Sequence, residues 1–259
     1  MTATATPAAE TREPRLPLGP MLRMQVAVEQ RIFWRNKSGM FFTFILPIAL
    51  LFTLALSNDP IDMVPFIAAL GILSTGFQGL SIQLAMHRDQ GVLKRIMATP
   101  LPASLLILGK AISTTIVILV EILIVITVGV GLFDAPLPEH PFILLGLVLL
   151  GTATFVALGY ALASIIPTSE SAPAITNAAY LGLLLVTVLI AQVDAIPDWL
   201  QDIGTHGLPL RALIESIDHA WMGPWKASDA WSALTLAAWG AIGALWSVRR
   251  FRWEPANER

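Results

Sequence analysis

The sequence predicts an all-α membrane protein with six transmembrane helices. Three observations carry that prediction. Charged residues make up only 13% of the 259-residue chain, about half the roughly 25% of a typical soluble domain. Six stretches are long and apolar enough to cross a bilayer core about 30 Å thick, which takes about 20 helical residues. The cations are also unevenly placed. With cytoplasmic termini, every Lys and Arg except Arg211 and Lys226 falls on the inner side or at the inner end of a span, as the positive-inside rule requires. The outer loops are acidic instead, carrying Asp59, Asp62, Asp134, Glu139, Asp194, Asp198 and Asp202.

Residues 1–20 are rich in Ala, Thr and Pro and have no apolar core, so they are expected to form a disordered cytoplasmic tail and not a secretory signal peptide. Residues 21–253 are expected to form a single six-span domain, with a second short tail at 254–259. A helix is predicted over 21–37. Met21, Val28 and Ile32 share one face there, although Gln25 and Glu29 intrude on it. It either lies in the interface or extends the first span into the cytoplasm. The spans are predicted at about 39–56, 63–86, 103–132, 141–166, 172–193 and 230–248. Pro47 and Pro65 mark bends. Gly71, Gly76, Gly79, Gly146, Gly151 and Gly159 let helix backbones approach closely or act as hinges.

The outer stretch 194–229 holds two shorter pieces. In the second, Leu210, Leu213, Ile214, Ile217 and Trp221 recur at helical spacing. Neither piece is long enough to span, so a short helical hairpin on, or partly in, the outer leaflet is expected. Trp199, Trp221, Trp225 and Trp231 suit an outer aromatic belt.

Several chemistries are excluded. There is no cysteine, hence no disulfide or thiol catalysis. His87, His140, His206 and His219 are not at metal-ligand spacing. Neither a G-x-S-x-G elbow nor a G-x-x-x-x-G-K-[ST] phosphate loop occurs. The sequence therefore predicts no catalytic residue, no cofactor and no metal, and any ATP chemistry must come from another polypeptide. A net charge of -2 carries no nucleic-acid signature.

Two constellations remain. The inner loop HRDQGVLKRIMATPLP runs from His87 to Pro102. Asp89 can cap a helix beginning near Gln90 or Gly91. Val92, Leu93, Ile96 and Met97 then fall on one side, with Lys94 and Arg95 on the other. Thr99 before Pro100 ends it. The plain alternative is an ordinary positive-inside loop. The second constellation is polar residues inside spans: Glu121 and Asn177, with Gln78 and Gln83. An ionised group at bilayer depth costs roughly 2.5–3.5 kcal/mol. Glu121 must therefore face protein or water, or be protonated. These residues either line a substrate path or satisfy one another in helix packing, Glu121 with Thr114, Gln78 or Gln83.

Together these features resemble the membrane subunit, or permease, of ABC-2 type exporters. The resemblance covers residues 21–253. It rests on the inner loop ending in T-P-L, the segment RIFWRNKSGMFF before a span with an internal proline, the outer P-D-W-L and L-P-L-R-A-L-I-E pieces, and the cationic end VRRFRW. The T-P-L form is most similar to bacterial drug and antibiotic exporter permeases. The resemblance implies a type-2 architecture with an N-terminal interfacial helix and an outer re-entrant helical hairpin. It also implies a separate ABC ATPase partner that carries ATP and magnesium, a second permease chain in a homodimer or heterodimer, and the bacterial plasma membrane. The loop would then be the ATPase-coupling helix. Val92, Leu93, Ile96 and Met97 would supply buried contact, and Arg88, Lys94 and Arg95 steering and rim pairing. Export of a lipid-linked polysaccharide, a membrane-embedded enzyme and a non-transport scaffold or sensor subunit are the rival readings.

Overall fold

The computed structural model describes residues 17–55, 60–92, 102–192, 197, 204, 207–223 and 227–250, and its regular elements are all helical. They are α1 (Leu18–Arg35), α2 (Lys37–Ala55), α3 (Pro60–Ile72), a π-helical segment (Leu73–Gly79), α4 (Leu80–Asp89), α5 (Ala103–Phe133), α6 (Pro141–Ile165), α7 (Ala172–Gln192), α8 (Pro209–Met222) and α9 (Ala227–Arg250). Six are long and apolar enough to cross a membrane: Lys37–Leu54, Met63–Asp89, Ser104–Phe133, Pro141–Ile165, Ala172–Ile190 and Asp229–Arg250. Each overlies an expected span. The second is α3, the π segment and α4 run end to end. Pro47 and Pro65 lie inside unbroken helices.

α6 is the axis of the bundle. Leu144, Leu147, Val148, Phe155 and Val156 are buried along it. Two glycine contacts fix how close its neighbours come. A Cβ on Gly243 of α9 would lie 2.9 Å from the Ala157 carbonyl carbon, and one on Gly159 would lie 2.7 Å from the Gly76 carbonyl oxygen. Backbone cannot yield as a flexible side chain would, so both contacts require glycine. Ser81 completes the second one by donating its hydroxyl to the Phe77 and Gly159 carbonyls at 2.6 and 2.9 Å. By contrast, only 11% of spans one and five is buried. Their apolar faces are left for lipid or another chain.

α8 has 14 residues, roughly 21 Å at 1.5 Å per residue, too short to cross. It does not lie flat on the bundle. Leu210, Ala212, Leu213, Ile217 and Ala220 are fully buried and Trp221 is 1% exposed. The expected apolar stripe therefore faces the protein core. Trp221 belongs to that core and not to an aromatic belt, whereas Trp231 is 61% exposed. The loop after α5 seals the end of α8: the Glu139 and His140 N–H groups donate to the Trp221 and Ala220 carbonyls at 3.1 and 3.2 Å. His219 Nδ1 meets Asp229 Oδ1 across the turn into α9. Most of the first arm of the expected hairpin lies outside the described residues.

α1 departs from its expected polarity. Val28 and Ile32 are 41% and 45% exposed, while Glu29 is buried. The two residues that interrupt the apolar face, Gln25 and Glu29, meet α5. The reason is a buried lysine on α5 that needs a partner.

The end of α4 also differs from expectation. The helix continues through Asp89, so Asp89 does not cap a following one. The Gly91 N–H donates to the Arg88 carbonyl at 3.0 Å, and Gly91 turns the chain with φ 68°, the left-handed stop that favours glycine. Val92 is again helical; residues 93–101, including Leu93, Lys94, Arg95, Ile96 and Met97, lie outside the described residues.

Candidate functional site

The segment LSTGFQG forms the π-helical turn in the middle of span two. Such turns are rare and recur at functional sites. Small and hydroxyl residues make it possible here. Ser74 donates its hydroxyl to the Gly71 carbonyl at 3.2 Å, which competes locally with the regular ladder. Glu121 of α5 lies behind this turn. Its Oε2 accepts the Thr75 hydroxyl at 2.9 Å. Its Oε1 is buried without a partner among the described residues and abuts Gly71, where a Cβ would come within 2.7 Å. The partner expected for Glu121 was Thr114, Gln78 or Gln83. The π turn presents Thr75 to it instead, because rotating that turn brings a short hydroxyl residue beneath the carboxyl.

On the other side of the turn, Gln78 donates its amide N–H to the Asn177 side-chain oxygen on α7. Gln78 and Gln83 both line a cavity of about 660 Å³ bounded by α1, α2, span two and α5. Thus the π turn joins Gln78 to Asn177 and Thr75 to Glu121, while Gln83 shares the cavity wall with Gln78.

The cavity deepens toward the basic end of the bundle. Glu29 Oε2 accepts Lys110 Nζ at 2.8 Å, with side-chain exposures of 8% and 11%. Gln25 donates to the other Glu29 oxygen at 3.1 Å. Gln30 donates to the Ser113 carbonyl and hydroxyl at 2.9 and 3.0 Å. Such a buried pair is costly to form and strongly destabilising to break on one side, so it registers α1 against α5. Sequence reasoning missed it. The available signal was Gln25 and Glu29 at i, i+4, an acidic and an amide group on one helix face opposite a lysine two turns into an apolar span.

Arg88 faces inward as well. It donates to the Ala163, Ile166 and Pro167 carbonyls at 3.2, 2.6 and 3.3 Å. These include unpaired carbonyls at the end of α6, where a cation is favoured. It is 6% exposed, so it caps a helix and offers no rim for steering. Asp89 accepts the Ser169 N–H and stands 3.7 Å from Arg88 Nε. The end of span two is therefore bound to the 166–171 turn between spans four and five. Among the described residues no group of three or more His, Cys, Asp or Glu could hold a metal ion.

Six membrane-length helices define a multi-pass helical membrane protein. The chain belongs to the ABC-2 type transporter family, whose model matches residues 23–220. It is 26% identical to YvfS of Bacillus subtilis (strain 168), whose name calls it a transport permease, over 71% of this chain and 79% of that one. It is 20% identical to YbhR of Escherichia coli (strain K12), whose name calls it a multidrug ABC transporter permease, over 67% of this chain. That match spans 46% of YbhR, less than half the relative's length. The chain is thus a transport permease, a transporter component and not an enzyme.

Proposed function

We propose that this permease is the membrane-spanning subunit of an ATP-driven exporter for a drug, antibiotic or other amphipathic small molecule. The observation that carries the reading is the cavity beside the π turn, lined by Gln78 and Gln83 of span two, with Gln78 bonded to Asn177 of α7. A polar path through apolar helices has no value to a simple anchor. The multidrug name borne by YbhR supports the choice of cargo. A separate ABC ATPase would supply ATP and magnesium. A second permease chain, identical or homologous, would cover α2 and α7, the least buried spans. The setting is the bacterial plasma membrane, with both termini cytoplasmic.

The coupling helix would run over 90–98 and rest in a groove of the ATPase. Motion there enters span two at Gly91. Arg88 and Asp89 would carry it at once to the turn joining spans four and five, because both grip that turn directly. Coupling would thereby extend from spans two and three, which the loop joins, to spans four and five. Ile96→Asp tests the reading, since it would place an unpaired charge in the ATPase groove at a cost of roughly 3–5 kcal/mol. Expressed with its ATPase, this variant should insert normally but lose co-purification and export. Normal export by it would remove the loop from the mechanism.

A further inference from the structure

The cavity has a chemical preference that its lining specifies. Among the described residues, the only Asp, Glu, Lys or Arg side chains on its wall are Glu29 and Lys110, and these are spent on each other at 2.8 Å. A charged guest would lose its hydration and find no unpaired counter-charge. Uncharged hydrogen-bonding groups are nevertheless available. Gln83, Thr114 and His87 line the cavity and make no hydrogen bond among the described residues. Apolar walls come from Ile32, Phe33, Phe42, Leu46 and Val117. The volume, about 660 Å³, falls within the roughly 300–1,000 Å³ of small-molecule pockets.

We infer that this intrasubunit cavity is a binding site for an uncharged amphipath bearing hydroxyl or amide groups. Gln83, Thr114 and His87 hold the polar end, and the Phe33 and Phe42 side takes the apolar body. The inference deepens the export reading by naming a cargo class, yet it concerns binding by the permease itself, without ATP or ATPase.

Gly79 supplies the test. It lines the cavity, and a Cβ there would meet only the Ser74 carbonyl, at 3.4 Å. Gly79→Phe therefore adds a bulky ring at a cavity-lining position where the Cβ itself has room. Gly182 on α7 has nothing within 4 Å and does not line the cavity, so Gly182→Phe is the matched control. The purified full chain in nanodiscs is photolabelled with 3-azioctanol, and adducts are mapped by mass spectrometry. Wild type and Gly182→Phe should carry adducts on cavity-lining residues. Gly79→Phe should lose them at least fivefold while keeping a monodisperse profile. Gln83→Leu and Thr114→Val should each lower labelling roughly twofold to tenfold, the range for one hydrogen bond. Diazirine-bearing octanoate and octylammonium should not label the cavity. Separate competition by benzyl alcohol and by monooleoylglycerol distinguishes a small cargo from a neutral lipid within the same class. Undiminished cavity labelling in Gly79→Phe, or equal labelling by either charged analogue, would overturn the inference. Labelling as expected with no ATP-driven export would overturn the export reading alone.

Discussion

The two ends of the bundle are held together by different physics. At the acidic end, α8 inserts an apolar stripe, Leu210, Leu213, Ile217 and Trp221, into a core of apolar side chains, with the His219–Asp229 contact at its margin. Leu213 fills the notch left by Gly151, where a Cβ would come within 2.5 Å of its Cδ1. At the basic end, α1 meets α5 through Glu29–Lys110 and Gln30–Ser113, and span two meets α6 through Arg88 and the α6 carbonyls. Apolar contact is non-directional and tolerates small shifts. Charge-assisted hydrogen bonds hold one geometry and fail abruptly when it is lost. In the proposed exporter, the acidic end would contribute stability alone and the basic end would also hold discrete, switchable positions.

The largest expected effect is at the basic end. Lys110→Met leaves Glu29 buried and unpaired, and should destabilise the chain by roughly 3–5 kcal/mol. Combining it with Glu29→Leu should recover most of that loss, because replacing both partners with apolar groups is often neutral. Thermal unfolding of the two variants in one detergent measures the recovery. A double variant as unstable as Lys110→Met would show that the pair is not the lock described.

Leu213→Ala should come next, at roughly 2–5 kcal/mol for a fully buried leucine. Its loss should appear as a lower unfolding temperature with unchanged binding to the ATPase. Arg88→Met should cost less, roughly 1.5–3 kcal/mol for hydrogen bonds to a charged donor. It should also free the 166–171 turn, seen as faster hydrogen exchange at Ser169. Unchanged exchange there would uncouple span two from that turn and blur the contrast between the ends.

The spans were legible in the sequence because a bilayer demands long uninterrupted apolar runs, and six of them survive at nearly the same boundaries. The stripe of α8 was legible for the same reason, through its 3.6-residue period. Its burial was not, since a helix lying in the outer leaflet and one inserted in the core share one pattern. The π turn was illegible because LSTGFQG has the same hydropathy in either helix type. Gln78, Gln83, Glu121 and Asn177 stood out as polar residues inside spans. Their grouping needed the turn, and Thr75, the residue that contacts Glu121, gave no signal of its own. Glu29 was visible but read as a flaw in α1, because a charge on an apolar face makes sense only once Lys110 is placed opposite.

The central claim is that the basic end carries the mechanism and the acidic end only holds the fold. The most direct measurement is the number of cargo molecules exported per ATP hydrolysed, in proteoliposomes holding the permease and its ATPase. Glu29→Leu combined with Lys110→Met should retain assembly and ATP hydrolysis while that ratio falls severalfold, whereas Leu213→Val should keep the wild-type ratio. An unchanged ratio in the double variant, or an equal fall in both, would contradict the account.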